Sequence, residues 1–366
     1  MLKKFEVKGF KNFKDKIEID FSDVREYQFN DWCIKDDLLN KIIVYGKNAS
    51  GKSNLGLAIF DITTHLTDKN VTPGVYDYYL NADEETDFAE FHYVFKLENG
   101  EVDYVYRKSD LKNLLYEKIL VNDNMMMSYD YVKKTGNFEG ISKLMPSLNY
   151  EFQDNSVSIL RYVVNNTPSD SVAPLKELMH FVNNMLWFRS LDENRYIGYK
   201  TESSDFTKFI FEKEVLTQFQ ELLNKAGVNE KLTSIKDPDG QQRLYFNKES
   251  LIPFFKVASN GTKALYTLFY WLTEAKDVSF LFIDEFDAYY HFELSEIIVK
   301  LLENHNGFQT ILTSHNTNLL TNRIMRPDCY FILTSNRLTS LCNATSRELR
   351  EGHNLEKLYI NGEFNE

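Results

Sequence analysis

The stretch Ile42-Ile43-Val44-Tyr45-Gly46-Lys47-Asn48-Ala49-Ser50-Gly51-Lys52-Ser53 decides the fold. Residues 42–45 read as a buried strand, 46–53 as a glycine-bracketed loop, and 54–62, with Leu55, Leu57, Ala58 and Ile59, as a helix. Gly46, Gly51, Lys52 and Ser53 fit the pattern G-x-x-x-x-G-K-[ST], in which loop N–H groups cradle phosphates, the lysine reaches the terminal phosphates and the hydroxyl takes Mg²⁺. A side chain at Gly51 would obstruct the approach of backbone to phosphate, and Gly46 lets the chain leave the strand by a tight bend. Asn48, Ala49, Ser50 and Asn54 complete the expected cradle, because the helix that follows turns its positive end toward the loop.

A chain of 366 residues with 43% apolar content can bury a substantial core. No apolar run approaches a membrane span, and the opening Met1-Leu2-Lys3-Lys4-Phe5-Glu6-Val7-Lys8 alternates like a strand, so the expectation is a soluble, cytoplasmic protein without a membrane partner. Cys33, Cys329 and Cys342 lack metal-ligand spacing and are expected to be structural thiols. A formal net charge of −12 does not support nucleic acid as a partner, although Lys3, Lys4, Lys8, Lys11, Lys14 and Lys16 leave a local basic groove open.

Outward from the loop, 2–7 and 17–21 read as an antiparallel pair, and 88–97, 102–107 and 114–121 as an antiparallel sheet inserted after the first helix. Met125-Met126-Met127 reads as adaptable filler between two lobes. Helical periodicity governs 172–185 and 206–223, with no heptad repeat. After Ser259, helices at 263–274 and 293–304 alternate with apolar strands at 278–283 and 310–313 and a hairpin of 330–333 with 338–341. The expectation is an α/β protein with a mainly parallel sheet assembled from both ends of the chain. Residues 1–150 and 236–366 form the two parts of one nucleotide-binding domain with an antiparallel β lobe, and 151–235 an inserted helical lobe.

Phe280-Leu281-Phe282-Ile283-Asp284-Glu285 places two carboxylates at the end of an apolar strand. Beside a phosphate loop, Asp284 is expected to hold Mg²⁺ together with Ser53, and Glu285 to polarise the attacking water. Thr310-Ile311-Leu312-Thr313-Ser314-His315-Asn316 repeats the design, with His315 as a donor to the terminal phosphate. Ala258-Ser259-Asn260-Gly261-Thr262-Lys263 is a small polar loop that opens a long helix, a second anion site that one protomer does not need for itself.

Together these elements resemble the ABC-type ATPases of the SMC, RecF and OLD class. The resemblance implies a split ABC-ATPase head that binds ATP and Mg²⁺ and pairs head to tail, as a dimer or a higher assembly of dimers. It makes Lys52 and Ser53 the Walker A pair, Asp284 and Glu285 the Walker B acids, and Ser259, Gly261, Thr262 and Lys263 the signature that closes on the partner's nucleotide. Asp287 becomes the D-loop residue, His315 the switch histidine and Gln153 a weak coupling glutamine. Ser-x-Gly-Thr-Lys, Asp-Glu-x-Asp-Ala-x-x-His at 284–291 and the ending 354–364 resemble ATPase subunits of anti-phage operons, without a TOPRIM domain. That implies an ATPase that controls a separate effector, perhaps a nuclease; the alternative is a RecF-like DNA-repair head. For the ending, a helix packed on the sheet and a docking element for a partner stand equal.

Overall fold

The computed structural model describes residues 1–67, 69, 74–83, 86–150, 152, 154–167, 172–189, 195–198, 209–211, 213–274, 276–288 and 292–364. Gln153 and His291 lie outside them. Lys41–Tyr45, Phe280–Asp284, Gln309–Ser314 and Tyr330–Leu333 are buried at every position, the mark of strands covered on both faces. They lie in a seven-stranded sheet ordered Arg195–Gly198, Met185–Arg189, Phe280–Asp284, Gln309–Ser314, Lys41–Tyr45, Tyr330–Leu333, Leu338–Ser340. The five inner strands are parallel, and each edge strand pairs antiparallel.

Two expectations change here. Helical periodicity was expected through residue 185, but the helix Ala173–Asn183 ends earlier and Met185–Arg189 enters the central sheet beside Phe280–Asp284. A run of bulky apolar residues satisfies either period, and tertiary packing decides. The middle of the chain therefore contributes a strand to the central sheet and is not helical throughout. The strand of Asp284 also does not adjoin the phosphate-loop strand, because Gln309–Ser314 runs between them.

The second sheet is one seven-stranded antiparallel unit. Leu2–Lys8 pairs with both Ile17–Asp20 and Ala89–Leu97, so the opening pair and the later strands are continuous. Met125 to Met127 belong to its strand Asn124–Asp130, with Met127 opposite Ile119 and buried while Met125 faces out. They are alternating strand residues, which replaces the reading as filler between lobes. On the outer face Lys3 pairs with Glu101, and Lys4 and Lys16 pair with Glu6 and Glu18. Half of the proposed basic groove is thus neutralised by its own strands.

The helix Lys52–Leu66 is sandwiched between the two sheets. Toward the central sheet, Gly56 lies so close that a Cβ there would come 2.8 Å from the Phe282 ring and 2.9 Å from Trp187. Toward the antiparallel sheet, Asp61 is fully buried and accepts hydrogen bonds from Tyr79 Oη at 2.8 Å, Tyr106 Oη at 3.0 Å and Lys108 Nζ at 3.0 Å. A charge is kept in the interior only when it is paired and hydrogen-bonded in this way.

Candidate nucleotide site

Register brings the ends of three parallel strands to one edge: Ser314 stands opposite Tyr45, and Ile283 opposite Leu312. Gly46, Asp284 and His315 therefore leave the sheet on the same side, where the carboxyl ends of parallel strands open to ligands.

The phosphate loop closes on itself through Ser50 N–H, which donates to Lys47 O at 3.1 Å. Ala49 and Gly51 adopt positive φ, 64° and 101°, a left-handed pattern that turns successive N–H groups toward one concavity. Lys52 Nζ donates to Gly46 O at 2.9 Å and Lys47 O at 3.3 Å, so the ammonium is held over that concavity. Ser53 and Asn54 stand half-buried in the first helical turn, and Asn48 is exposed. The fold adds further reasons for both glycines. At Gly46 a side chain would meet Ser50 and, at 3.0 Å, the carbonyl of Leu333; at Gly51 it would meet the carboxamide of Asn12.

Asn12 is a residue the sequence did not single out. Its Nδ2 donates to Ser50 O at 3.3 Å and its Oδ1 accepts from Asn54 Nδ2 at 2.7 Å, which ties the antiparallel sheet to the loop. Thr313 and Ser314 are two more. Thr313 Oγ1 donates to Asp284 Oδ1 at 2.9 Å and accepts from Glu285 N–H at 2.8 Å. Ser314 Oγ donates to Asp287 Oδ2 at 2.7 Å. A threonine and a serine ending an apolar run read as the end of a strand, and only the neighbouring strand shows what their hydroxyls bind.

Glu285 holds φ at 46°, an unfavourable region for a side chain with a Cβ, and its N–H bond to Thr313 fixes the turn. Asp287 is buried, and burial pushes its carboxyl above the usual range; the Ser314 hydroxyl and the charges of His315 and Lys52 oppose the rise. Asp287, Lys52 and His315 are thus within electrostatic reach of one another, with Asp284 held beside them by Thr313. Asp287 Oδ1 and Ser50 Oγ are buried without a hydrogen-bond partner among the described residues. Orphaned atoms of this kind, beside an ammonium and an N–H cradle, fit an anionic ligand with its cation.

The residues Ser259 to Lys263 are not brought to this loop. Ser259 Oγ accepts from Thr262 N–H at 3.1 Å and lies 2.8 Å from Thr262 Oγ1, capping the helix Asn260–Glu274. That helix packs through Tyr266 on Phe219 and Phe254. Ser259 is exposed at its tip.

The ending forms the short helix Leu355–Ile360, capped by Asn354 and joined to the turn after His315 by Glu356 N–H to Leu320 O at 3.1 Å. Leu355 and Phe364 are buried while Ile360 is exposed. Tyr359 on this helix shares a cavity of about 570 Å³ with residues 46–50 of the loop. Among the described residues no helix is long and apolar enough to cross a membrane, and no three His, Cys, Asp or Glu side chains form a metal cluster.

A family model described as "AAA domain, putative AbiEii toxin, Type IV TA system" matches residues 41–321, from the phosphate-loop strand past His315. The chain belongs to this AAA family. Among solved structures the chain is similar to an SMC head bound to the C-terminal winged-helix domain of ScpA, at 17% identity, covering 93% of this chain and 97% of that one with a TM-score of 0.46. It is also similar to an SMC head domain from Thermotoga maritima, at 16% identity, 93% and 98% coverage and a TM-score of 0.43. A third is an Smc head with an extended coiled coil bound to the C-terminal domain of ScpA, derived from Pyrococcus furiosus, at 13% identity, 93% and 96% coverage and 0.46. At these scores the likeness carries no assignment. No curated protein matches the chain.

Proposed function

We propose that this AAA protein binds ATP with Mg²⁺ in the 46–53 loop, hydrolyses it, and pairs with a second copy so that each site is completed by the other's signature. The observation that carries the reading is the split itself. Loop, acids and histidine gather at one sheet edge, while exposed Ser259 caps the Asn260 helix by bonds within its own first turn, and that helix packs on Phe219 and Phe254.

Lys52 would neutralise the terminal phosphates, and Ser53 with Asp284 would hold the cation, whose remaining ligands come from phosphate and water. When bound there, Mg²⁺ would supply positive charge against the phosphates. Glu285, aimed by its bond to Thr313, takes a proton from the attacking water, and His315 donates to the terminal phosphate. Asp287 keeps Ser314 and the histidine turn in place.

The output of the cycle is the control of a separate effector protein in defence against phage, a reading supported by the toxin–antitoxin description of the matching family. A DNA-repair role is less well supported, since Lys3, Lys4 and Lys16 are paired with acids. The test is Glu285→Gln. With ATP and Mg²⁺ this variant should elute at twice the monomer mass and release phosphate at least about a hundredfold more slowly than wild type. A monomeric, fully active variant would reject the proposal.

A further inference from the structure

Three tyrosines follow the phosphate-loop helix, and two of them, Tyr76 and Tyr79, are buried. Tyr78 between them is 92% exposed, with its backbone at φ 54°. An aromatic residue in the left-handed region costs about 1 kcal/mol, and an apolar ring held in water recovers nothing within the fold. Strain of this kind persists only where the surroundings over-determine it.

Here they do. Lys11, itself at φ 48°, donates its N–H to Tyr79 O at 3.0 Å and its Nζ to Asp77 O at 2.7 Å, so both neighbours of Tyr78 are pinned by one residue. Asn81 Nδ2 closes the arrangement on Lys11 O at 2.6 Å. The next residue after Lys11 is Asn12, whose carboxamide lies on Ser50 and Asn54 of the phosphate loop and its helix. The exposed ring is therefore displayed on a ledge fixed by Lys11, the chain neighbour of the residue that clamps the loop. It also walls a groove of about 530 Å³ lined by residues 74, 76–80 and 109–112, separate from the cavity lined by the loop itself.

We infer that Tyr78 is the stacking platform for the aromatic base of the nucleoside triphosphate whose phosphates occupy the 46–53 loop. The inference rests on the nucleotide reading of that loop. Stacking needs only a flat apolar face at a fixed height, and it accepts any base, since every base has a π-face. The strained, pinned backbone sets that height before the ligand arrives, which lowers the ordering cost of binding.

The experiment is a calorimetric titration of the full chain with ATP and, separately, with inorganic tripolyphosphate, both with Mg²⁺. Tripolyphosphate carries the phosphates without a base. Tyr78→Ala should bind ATP about five- to a hundredfold more weakly and bind tripolyphosphate as wild type does, which also shows that the variant is folded. Tyr78→Phe should retain ATP affinity, because the hydroxyl is not used. Unchanged ATP affinity in Tyr78→Ala, or loss of ATP affinity in Tyr78→Phe, would overturn the inference. Wild-type protein that binds neither ligand would instead overturn the nucleotide reading, and this inference with it.

Discussion

Thr313 joins the two acids of the site through one hydroxyl. Replacing it by valine keeps the volume and leaves Asp284 Oδ1 and Glu285 N–H without their partner. Thr313→Val should lower stability by about 1–3 kcal/mol and reduce turnover more than nucleotide affinity, because the cradle is untouched while the Glu285 turn loosens. Denaturant titration and phosphate release separate the two effects. At the other end of the same sheet Lys41 is buried, donating to His305 O at 3.0 Å and to Phe308 O, with the Phe308 ring 4.7 Å away. Burial brings its pKa down to about 7. The unfolded lysine keeps its proton up to its ordinary pKa of about 10.4, so between these values the unfolded state binds the extra proton. Folding is then favoured as pH rises through that window and disfavoured as it falls toward 7. Lys41→Met should remove this slope, so its stability advantage over wild type is largest near pH 7 and shrinks toward pH 9. Chemical denaturation at both pH values checks the difference. The phosphate loop and Asp284 were legible because their chemistry is written in adjacent residues. Asn12, Thr313 and Ser314 were not, since each acts on a partner that only the folded sheet brings near.

Among the elements, the helix Lys52–Leu66 combines steric seating on one sheet with buried polar bonds toward the other. Its burial on both faces explains why it holds a charged residue inward: Asp61 meets Lys108 and Tyr106 of the antiparallel sheet and Tyr79 of the segment that follows the helix. Lys108→Met leaves that carboxylate buried without its cation and should cost about 3–5 kcal/mol. Asp61→Leu combined with Lys108→Met should restore only part of the loss, because the uncompensated charge is gone but the buried hydroxyls of Tyr79 and Tyr106 lose their acceptor. A double-mutant cycle by urea denaturation measures both. Element identity was readable in the alternation of Ala89–Leu97 and in the apolar run 42–45, which its glycine-bracketed loop marks as a strand. It failed at Met185–Arg189, where five bulky residues carry no period and the choice was made by the space beside Phe280–Asp284.

For the whole molecule, the proposed completion of each phosphate loop by residues 259–263 of a second copy makes a prediction that no single chain can fulfil. Lys52→Ala and Ser259→Arg should each abolish hydrolysis alone; the second also loses a helix cap worth about 1 kcal/mol, too little to unfold the chain. Mixed in equal amounts, the two variants should regain activity, up to about a quarter of wild type for random pairing into two-fold dimers. A mixture as inactive as its parts would show that each chain works alone. The assembly of the central sheet from both ends of the chain was foreseen from strand pattern. That the opening strands and the later hairpins make one antiparallel sheet was not, because Leu2–Lys8 shows its alternation but not its neighbours.

Gly56 gives that architecture an alignment pin. Its missing side chain seats the helix directly on the Phe282 ring, and Phe282 stands two residues before Asp284. One steric contact therefore gauges the height of the lysine-bearing loop against the acid supplied from more than two hundred residues away. A methyl group at position 56 would jack the two apart like a shim, leaving every functional side chain intact but out of true.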